Sequence, residues 1–186
     1  TNMNELITAM VGRSLESRFP PVDNQPGDTI LSVQHLSTKY APHLQDITFD
    51  VREGEIFGLY GLVGAGRTEL LETIFGVRTR AAGRVYFKNR LMNFGSAKEA
   101  IEHGFAMITE ERKANGLFLK CDLTFNTTIA NLNQYKSGVA LSTPKMVKAT
   151  NKEIKVMHTK CMGPDDMITS LSGGNQQKVI FGKWLE

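Results

Sequence analysis

The sequence has few of the residues that build disulfide frameworks or metal sites. Its two cysteines, Cys121 and Cys161, lie far apart and form no C-x-x-C pair, so neither a disulfide scaffold nor a zinc module is expected. His158 and Cys161 form a lone H-x-x-C pair. Because two ligands cannot close a tetrahedral site, this pair is interpreted as structural rather than metal-binding.

Charge of one sign and long apolar runs are scarce as well. The formal net charge is +3 over 186 residues and no block of like charges occurs, so nucleic acid is not indicated as a partner. The longest uncharged apolar stretch, residues 56–66, is far shorter than the roughly 18 residues that a membrane span needs. No signal-peptide pattern is present. These absences favour a cytosolic protein, or the cytosolic part of a larger one.

The remaining composition is that of a globular protein with one well-filled core. Residues 1–19 suggest a short amphipathic helix that has nothing nearby to bury it. The following stretch, PPVDNQPGD, contains three prolines and is typical of a linker. Residues 1–27 are therefore interpreted as the tail of a preceding unit plus a linker, and residues 28–186 as a domain.

Two kinds of strand pattern follow the linker. DITFDV and GRVYFKN alternate apolar and polar residues, which is typical of antiparallel strands with one buried face. EIFGLYG and FAMIT are apolar almost throughout, as in a parallel sheet covered on both faces. Helical patterns lie between and after them: RTELLETIF, SAKEAIEHG and STPKMVKATNKEIKVMHTK, the last with Thr143 as its predicted cap. The order predicts an α/β fold with a parallel-sheet core, an antiparallel β annex and a helical insert from about residue 114 to 172.

The stretch GLYGLVGAGRTELLETIF, residues 58–75, combines an apolar run, a glycine-rich turn and a helix start. In the phosphate-loop pattern G-x-x-x-x-G-K-[ST], Gly61, Gly66 and Thr68 match three fixed positions, and Arg67 replaces the lysine. Glycines leave backbone N–H groups free to face phosphate oxygens, and the helix start adds its positive dipole end. Thr68 is placed to bring a hydroxyl to Mg²⁺. The stretch predicts a nucleotide phosphate site.

Two other interpretations of this stretch stay open on the residues alone. A dinucleotide-binding turn has the spacing G-x-G-x-x-G, whereas Gly61, Gly64 and Gly66 have the reverse spacing. The second alternative is a glycine-rich turn between strand and helix with no ligand, since Arg67 departs from the pattern.

A second candidate anion site is LSGGNQQK, residues 171–178, at the start of the last helical pattern. Ser172 is predicted to cap that helix, and Gly173 and Gly174 remove side chains from its first turn. Because paired glycines are poor helix formers, their presence favours close approach of another group to the backbone. A hydroxyl and bare N–H groups at the positive end of a helix dipole form a second anion-binding surface.

LSGGNQQK resembles the signature motif of ABC transporter ATPases, and together with GLVGAGRT the resemblance covers nearly the whole chain. The closer resemblance is to the second cassette of the tandem ATPases that energise bacterial monosaccharide importers. Four segments carry it: MVGRSLESRFP, GEIFGLYGLVGAGRTEL, GFAMITEERKANGLF and SLSGGNQQKVIFGKWL. The galactose/methyl-galactoside branch is favoured. Residues 1–27 are then the end of the first cassette and the linker.

The resemblance implies a role for each matching position. A nucleotide contact is expected from Tyr40, which matches the aromatic residue that stacks on adenine. Further contacts are expected from the residues of the phosphate loop: Gly61, Leu62, Val63, Gly64, Ala65, Gly66, Arg67 and Thr68. Glu110 matches the glutamine that senses Mg²⁺ and the membrane subunit in most cassettes. Ser172, Gly173 and Gly174 match the residues that clamp the γ-phosphate of a nucleotide held by the opposite cassette. The strand expected to carry the catalytic glutamate and the Mg²⁺-binding aspartate would follow Glu186, so the 186-residue chain alone is predicted to be inactive.

Arg67 and Glu110 depart from the general pattern within one site. Arginine keeps the positive charge of lysine but is a wide planar fork, so phosphate binding survives more readily than close in-line positioning. The resemblance therefore implies an ATPase that binds ATP and Mg²⁺ at its own loop and helps hydrolysis at a partner loop. Its expected partners are the preceding cassette, membrane permease subunits and, indirectly, a periplasmic sugar-binding protein, at the cytoplasmic face of the bacterial inner membrane. A regulatory cassette without a role in hydrolysis and a soluble ABC protein of translation or DNA repair stay open.

Overall fold

A computed structural model describes residues 24–185. The predicted amphipathic helix of residues 1–19 lies outside the described residues. Between residues 24 and 185 the chain forms six strands: β1 (Thr29–Thr38), β2 (Ile47–Arg52), β3 (Arg80–Phe87), β4 (Arg90–Met92), β5 (Lys136–Ser137) and β6 (Ala140–Leu141). The same residues form five α-helices: α1 (Arg67–Ile74), α2 (Ala97–Glu102), α3 (Leu123–Thr128), α4 (Thr143–Val156) and α5 (Gly173–Leu185).

The first four strands form one antiparallel sheet in the order β2-β1-β3-β4. Val33 in β1 is the register partner of Phe49 in β2 and of Val85 in β3. Alternate residues of β2 face inward, as the alternating pattern predicts. Leu70 and Ile74 of α1 pack on the same face in one buried cluster with Val33 and Val85, so this sheet fixes the position of α1.

The two strongly apolar segments differ from their sequence prediction. Residues 55–61 and 105–109 belong to no strand, and both sheets formed by residues 24–185 are antiparallel. A strand needs a neighbour at hydrogen-bonding distance, and within the described residues neither segment has one. Their side chains nevertheless lie together, because Phe57, Leu59, Phe105 and Met107 line one cavity of about 360 Å³. The apolar pattern therefore predicted neither the ladder nor full burial, since Ile56 and Tyr60 are exposed.

The helical part of the chain has its own core. Helix α3 packs against both α4 and α5, and six buried residues form one cluster in this part of the chain: Leu117, Leu123, Ile168, Leu171, Val179 and Ile180. The cap of α4 lies one residue earlier than predicted, since Ser142 rather than Thr143 occupies the N-cap position, and Pro144 lies in the first turn. Thr150 in α4 is fully buried.

Helix α2 begins with a capping interaction. Ser96 is the N-cap, its hydroxyl accepts from the Glu99 backbone N–H at 3.4 Å, and the Glu99 carboxylate accepts from the Gly95 N–H at 2.9 Å. Gly104 follows the helix with φ of +85°. A left-handed residue at this place ends a helix without the penalty that a side chain would add.

Asn126 ties together the turn that leads into α3. Its side chain is almost fully buried, Oδ1 accepts from the Phe118 N–H at 2.8 Å, and Nδ2 donates to the carbonyls of Phe118 (3.1 Å) and Asp122 (2.9 Å). A buried side chain that satisfies several backbone groups leaves them all unpaired when it is removed.

We expect Asn126→Ala to lower the free energy of unfolding by roughly 2–4 kcal/mol, because a buried donor and two acceptors lose their partner. Urea unfolding followed by circular dichroism measures the change. Asn151→Ala, at an exposed position of α4, is the matched control and should shift the midpoint little. Equal effects of the two substitutions would contradict the role assigned to Asn126.

Lys183 joins the end of α5 to the turn at residues 112–116. Its ammonium donates to the Gly116 carbonyl at 2.9 Å, and burial lowers the pKa of Lys183 below the ordinary value of 10.5. The unfolded chain then binds this proton more tightly than the folded chain, so stability rises with pH between the lowered pKa and 10.5.

We expect Lys183→Met to reduce this rise in unfolding free energy across the same pH interval, because the substitution removes the titrating group. Urea midpoints at several pH values within the interval, compared with those of the parent chain, report the difference. The exposed Lys148→Met is the control and should leave the pH profile parallel to that of the parent. A profile for Lys183→Met that parallels the parent would refute the assignment.

Candidate functional site

The phosphate loop, residues 61–68, leads from the apolar segment 55–60 into α1. Gly64 and Gly66 have φ of +82° and +85°, a backbone conformation that residues with a side chain rarely adopt. The Ala65 N–H donates to the Leu62 carbonyl at 3.0 Å and closes the turn. Gly66 is the N-cap of α1 and provides no side-chain cap. The glycines thus set the loop geometry that the sequence predicts.

Backbone donors at the start of α1 are free of helical partners. The first helical bond runs from the Leu70 N–H to the Gly66 carbonyl at 2.9 Å, so the N–H groups of Arg67, Thr68 and Glu69 precede it. Uncapped N–H groups at a helix start attract anions. The loop therefore has the donor set that a phosphate group requires.

The Arg67 side chain bends back along the loop. Its Cδ lies 3.7 Å from the position that a Cβ on Gly61 would occupy, which is van der Waals contact distance. Arg67 and Thr68 are both exposed, as are the side chains of Leu62 and Val63. A guanidinium and a hydroxyl are thus open to solvent at the predicted phosphate site.

Tyr40 lies in a turn that contacts the phosphate loop. Pro42 Cγ and Leu44 Cδ2 lie 3.2 and 2.8 Å from the position of a Cβ on Gly66, so the turn packs directly against the N-cap. Buried Thr38 holds the turn closed, since its hydroxyl donates to the Pro42 carbonyl at 2.9 Å. The Tyr40 ring is 57% exposed and so is accessible to a planar ligand. The turn that carries Tyr40 therefore packs on the loop through Pro42 and Leu44.

Glu110 follows the apolar segment 105–109 and is exposed. Its carbonyl accepts from the Arg112 N–H at 3.1 Å, at the entry to a π-helical turn over Arg112–Gly116. Within residues 24–185 its carboxylate makes no hydrogen bond and no ion pair. The structure does not bring Glu110 into contact with the phosphate loop.

The signature segment, residues 171–178, opens α5. Ser172 is exposed, and its Oγ accepts from the Asn175 side-chain amide at 3.0 Å rather than from a backbone N–H. Ser172 therefore does not cap the helix through its side chain, which differs from the prediction. Because Asn175 donates, the serine hydroxyl keeps its own proton for another acceptor. A Cβ on Gly174 would have no atom within 4 Å, so the backbone there is open to a ligand.

Two residues of this segment were not singled out by sequence reasoning. Gln176 is buried, and its Nε2 donates to the carbonyls of Ile168 (3.1 Å) and Leu171 (3.2 Å), which holds the approach to Ser172 in place. Asn175 Oδ1 accepts from the Lys160 N–H at 3.0 Å, so Asn175 is itself oriented. The only signal in the sequence was their position in NQQK after the paired glycines.

The phosphate loop and the signature segment begin different helices that meet at their far ends. The rings of Phe75, after α1, and Trp184, near the end of α5, pack edge to face with centroids 6.2 Å apart. Each candidate anion surface lies at the opposite end of its helix from this contact. This arrangement favours two half-sites over a single pocket within the chain.

Residues 24–185 contain no group of three or more His, Cys, Asp or Glu side chains arranged to hold a metal ion. Over the same residues, the helices are too short or too polar for any of them to span a bilayer.

The family is established by comparison. A family model described as ABC transporter matches residues 44–185, a stretch that contains both the phosphate loop and the signature segment. The chain belongs to the ABC transporter family.

Comparison with individual proteins of the family is more specific. The chain is 59% identical over 186 residues to the galactose/methyl galactoside import ATP-binding protein MglA of Treponema denticola, a match that covers 100% of this chain and 37% of the relative. It is 46% identical over 184 residues to the protein of the same name from Escherichia coli K12, with 98% of this chain and 36% of the relative covered. The chain thus spans little more than a third of the length of these relatives.

Solved structures support the fold. A nucleotide-free ATP-binding cassette from an ABC transporter matches with a TM-score of 0.67 and 21% identity, over 84% of this chain and 64% of that chain. The cassette MJ0796, in a dimeric post-hydrolysis state bound to ADP and Pi, matches with a TM-score of 0.66 and 20% identity, over 84% and 69%. The predicted fold class, an α/β ABC ATPase cassette, is confirmed.

Proposed function

We propose that this chain is part of the second nucleotide-binding cassette of an ATPase that drives import of a monosaccharide, with galactose or methyl galactoside favoured. Residues 28–186 then belong to that cassette, with a helical subdomain over about 114–172, and residues 1–27 to the tail of a preceding cassette and its linker. The observation that carries the proposal is the pair of exposed helix starts, each with uncapped backbone donors and one glycine open to solvent, Gly64 in the first and Gly174 in the second.

ATP fits the first of these surfaces. The free N–H groups at the start of α1 and the Arg67 guanidinium would hold the phosphates, and Tyr40 would stack on the base. The Thr68 hydroxyl would contact Mg²⁺, which neutralises charge on the phosphate oxygens when bound. The Pro42 and Leu44 side chains fix the spacing between the base and phosphate contacts, because they pack on Gly66.

The second surface serves a nucleotide held by another cassette. Ser172 has a free proton to donate, and the N–H groups of Gly173 and Gly174 precede the first helical bond, which runs from Gln176 to the Ser172 carbonyl at 2.9 Å. Preorganised donors of this kind stabilise charge that develops during phosphoryl transfer. Ser172, Gly173 and Gly174 therefore support hydrolysis at the partner loop.

The chain's own loop mainly binds nucleotide in this proposal. Arg67 is a planar fork, whereas the compact ammonium of a lysine would follow the moving phosphoryl group. Glu110 adds a negative charge where most cassettes carry a neutral amide. The partners follow from this division: the preceding cassette, permease subunits in the membrane and a periplasmic sugar-binding protein. The protein would act at the cytoplasmic face of the bacterial inner membrane.

Two measurements test the proposal. A fluorescent ATP analogue, titrated with and without Mg²⁺ into the assembled cassette pair, should bind at this chain's phosphate loop. Cells that lack their own galactose importer and express the complete transporter should take up labelled galactose, and excess methyl galactoside should compete. Absence of nucleotide binding would overturn the proposal. Uptake of a different sugar would overturn only the substrate assignment. In a further measurement, normal ATP hydrolysis by the transporter after Ser172→Ala would favour a regulatory cassette.

A further inference from the structure

The Arg112 side chain lies directly over the signature segment. Its Nη2, Nη1 and Cζ atoms are 2.8, 3.0 and 3.1 Å from the position that a Cβ on Gly173 would occupy. Only a residue without a side chain leaves room for the guanidinium at this place. The glycine at position 173 therefore accommodates Arg112.

The guanidinium has no counter-charge there. Its Nε is buried and has no hydrogen-bond partner, and no ion pair to Arg112 exists within residues 24–185. A buried donor without a partner costs free energy, and a cation beside the positive end of a helix dipole is repelled. The repulsion is relieved when an anion occupies the surface formed by Arg112 and the first turn of α5.

The backbone that carries Arg112 is held against α5. The Lys183 ammonium donates to the Gly116 carbonyl at 2.9 Å, and a Cβ on Gly116 would lie 3.0 Å from Ile180 Cδ1. At the other end of the same turn, the Arg112 N–H donates to the Glu110 carbonyl at 3.1 Å. Arg112 is thus fixed between Glu110 and the signature segment.

We propose that Arg112 is a positioning residue of the signature half-site, which holds a positive charge over Gly173 and so strengthens capture of the γ-phosphate by Ser172, Gly173 and Gly174. The inference rests on the function proposed above. It adds a positive charge to the hydroxyl and backbone N–H groups of that half-site. It also connects the turn after Glu110 to the half-site.

The test compares Arg112→Met with Arg112→Lys in the complete transporter assembled in membranes. We expect Arg112→Met to lower kcat for ATP hydrolysis at least about tenfold, as loss of one charge-assisted contact does. Nucleotide affinity of the chain's own phosphate loop should stay unchanged, because Arg112 lies at the other half-site. Arg112→Lys should recover part of kcat, since the charge is retained, and a purely structural role would show no such rescue.

Lys113→Met is the matched control, because it removes an exposed cation one residue along the chain. Urea midpoints of all variants report whether the fold is kept. If Ser172→Ala impairs hydrolysis while Arg112→Met behaves like Lys113→Met, the inference about Arg112 is wrong and the proposed function stands. If Ser172→Ala and Arg112→Met both leave hydrolysis unchanged, the signature half-site itself is wrongly assigned.

Discussion

Ser172→Arg is expected to stop most ATP hydrolysis by the complete transporter, whereas Arg67→Ala should leave a substantial part of it. Ser172 is exposed at the start of α5, and its proton is free because Asn175 donates to its oxygen. Loss of one preorganised donor to developing charge typically costs about 10²–10³ in rate, roughly 2.7–4 kcal/mol. The large arginine side chain would also obstruct the approach of a partner loop.

In the proposed function Arg67 serves the same site as Glu110, and both residues depart from the general pattern. Arg67→Ala should therefore weaken nucleotide binding at this chain's loop more than it slows turnover. Steady-state phosphate release by the transporter in membranes measures both variants, and Ser137→Arg, at an exposed position of the β5–β6 hairpin, is the control for an added arginine. Loss of hydrolysis in Arg67→Ala together with near-normal hydrolysis in Ser172→Arg would show that ATP is hydrolysed at this cassette's own phosphate loop.

Gly66→Asp is expected to weaken ATP binding about 100-fold or more, because it adds a negative charge beside the free N–H groups of the proposed phosphate site. A like-charge contact costs several kcal/mol, and each 1.4 kcal/mol is about a tenfold change in affinity. The substitution also strains the fold, since φ at Gly66 is +85° and a Cβ would lie 2.8 Å from Leu44 Cδ2. Titration with a fluorescent ATP analogue measures the affinity.

Gly138→Asp is the matched control for the backbone part of this strain. Residue 138 lies in the β5–β6 hairpin with φ of +65°, and a Cβ added there would have no atom within 4 Å.

Thr68→Ala is a second variant that leaves the backbone unstrained. It should weaken binding of the Mg²⁺ complex while leaving binding of free ATP nearly unchanged, since the hydroxyl acts on the metal. Unchanged affinity in both Gly66→Asp and Thr68→Ala would remove the phosphate loop from the nucleotide site.

Local features of the fold were predictable from the sequence because they depend on neighbouring residues. The alternation in β2, the Ser96 cap of α2 and the left-handed glycines of the phosphate loop each follow from a few adjacent residues. The cap of α4 was placed one residue late, at Thr143 instead of Ser142, because both side chains suit that role. Parallel pairing of residues 55–61 was predicted from apolarity, which indicates burial but cannot supply a partner strand.

The candidate site likewise has features that the sequence located and contacts that only the packing determined. The motifs located the loop and the signature segment, since their chemistry lies in contiguous residues. The motifs did not indicate that Pro42 and Leu44 would pack on Gly66, that Asn175 would occupy the Ser172 oxygen, or that Phe75 would meet Trp184. Each of these contacts depends on how whole elements pack.

By itself the sequence determined the family and located the two glycine-rich helix starts that are proposed to bind anions. Glycine spacing and hydrophobic period are local properties of the chain, so they are present before it folds. Only the tertiary structure decided that Arg112 lies over Gly173, although many residues separate them. That contact requires α5 and the turn after Glu110 to pack through Gly116, Ile180 and Lys183, and shape complementarity between distant segments has no local pattern.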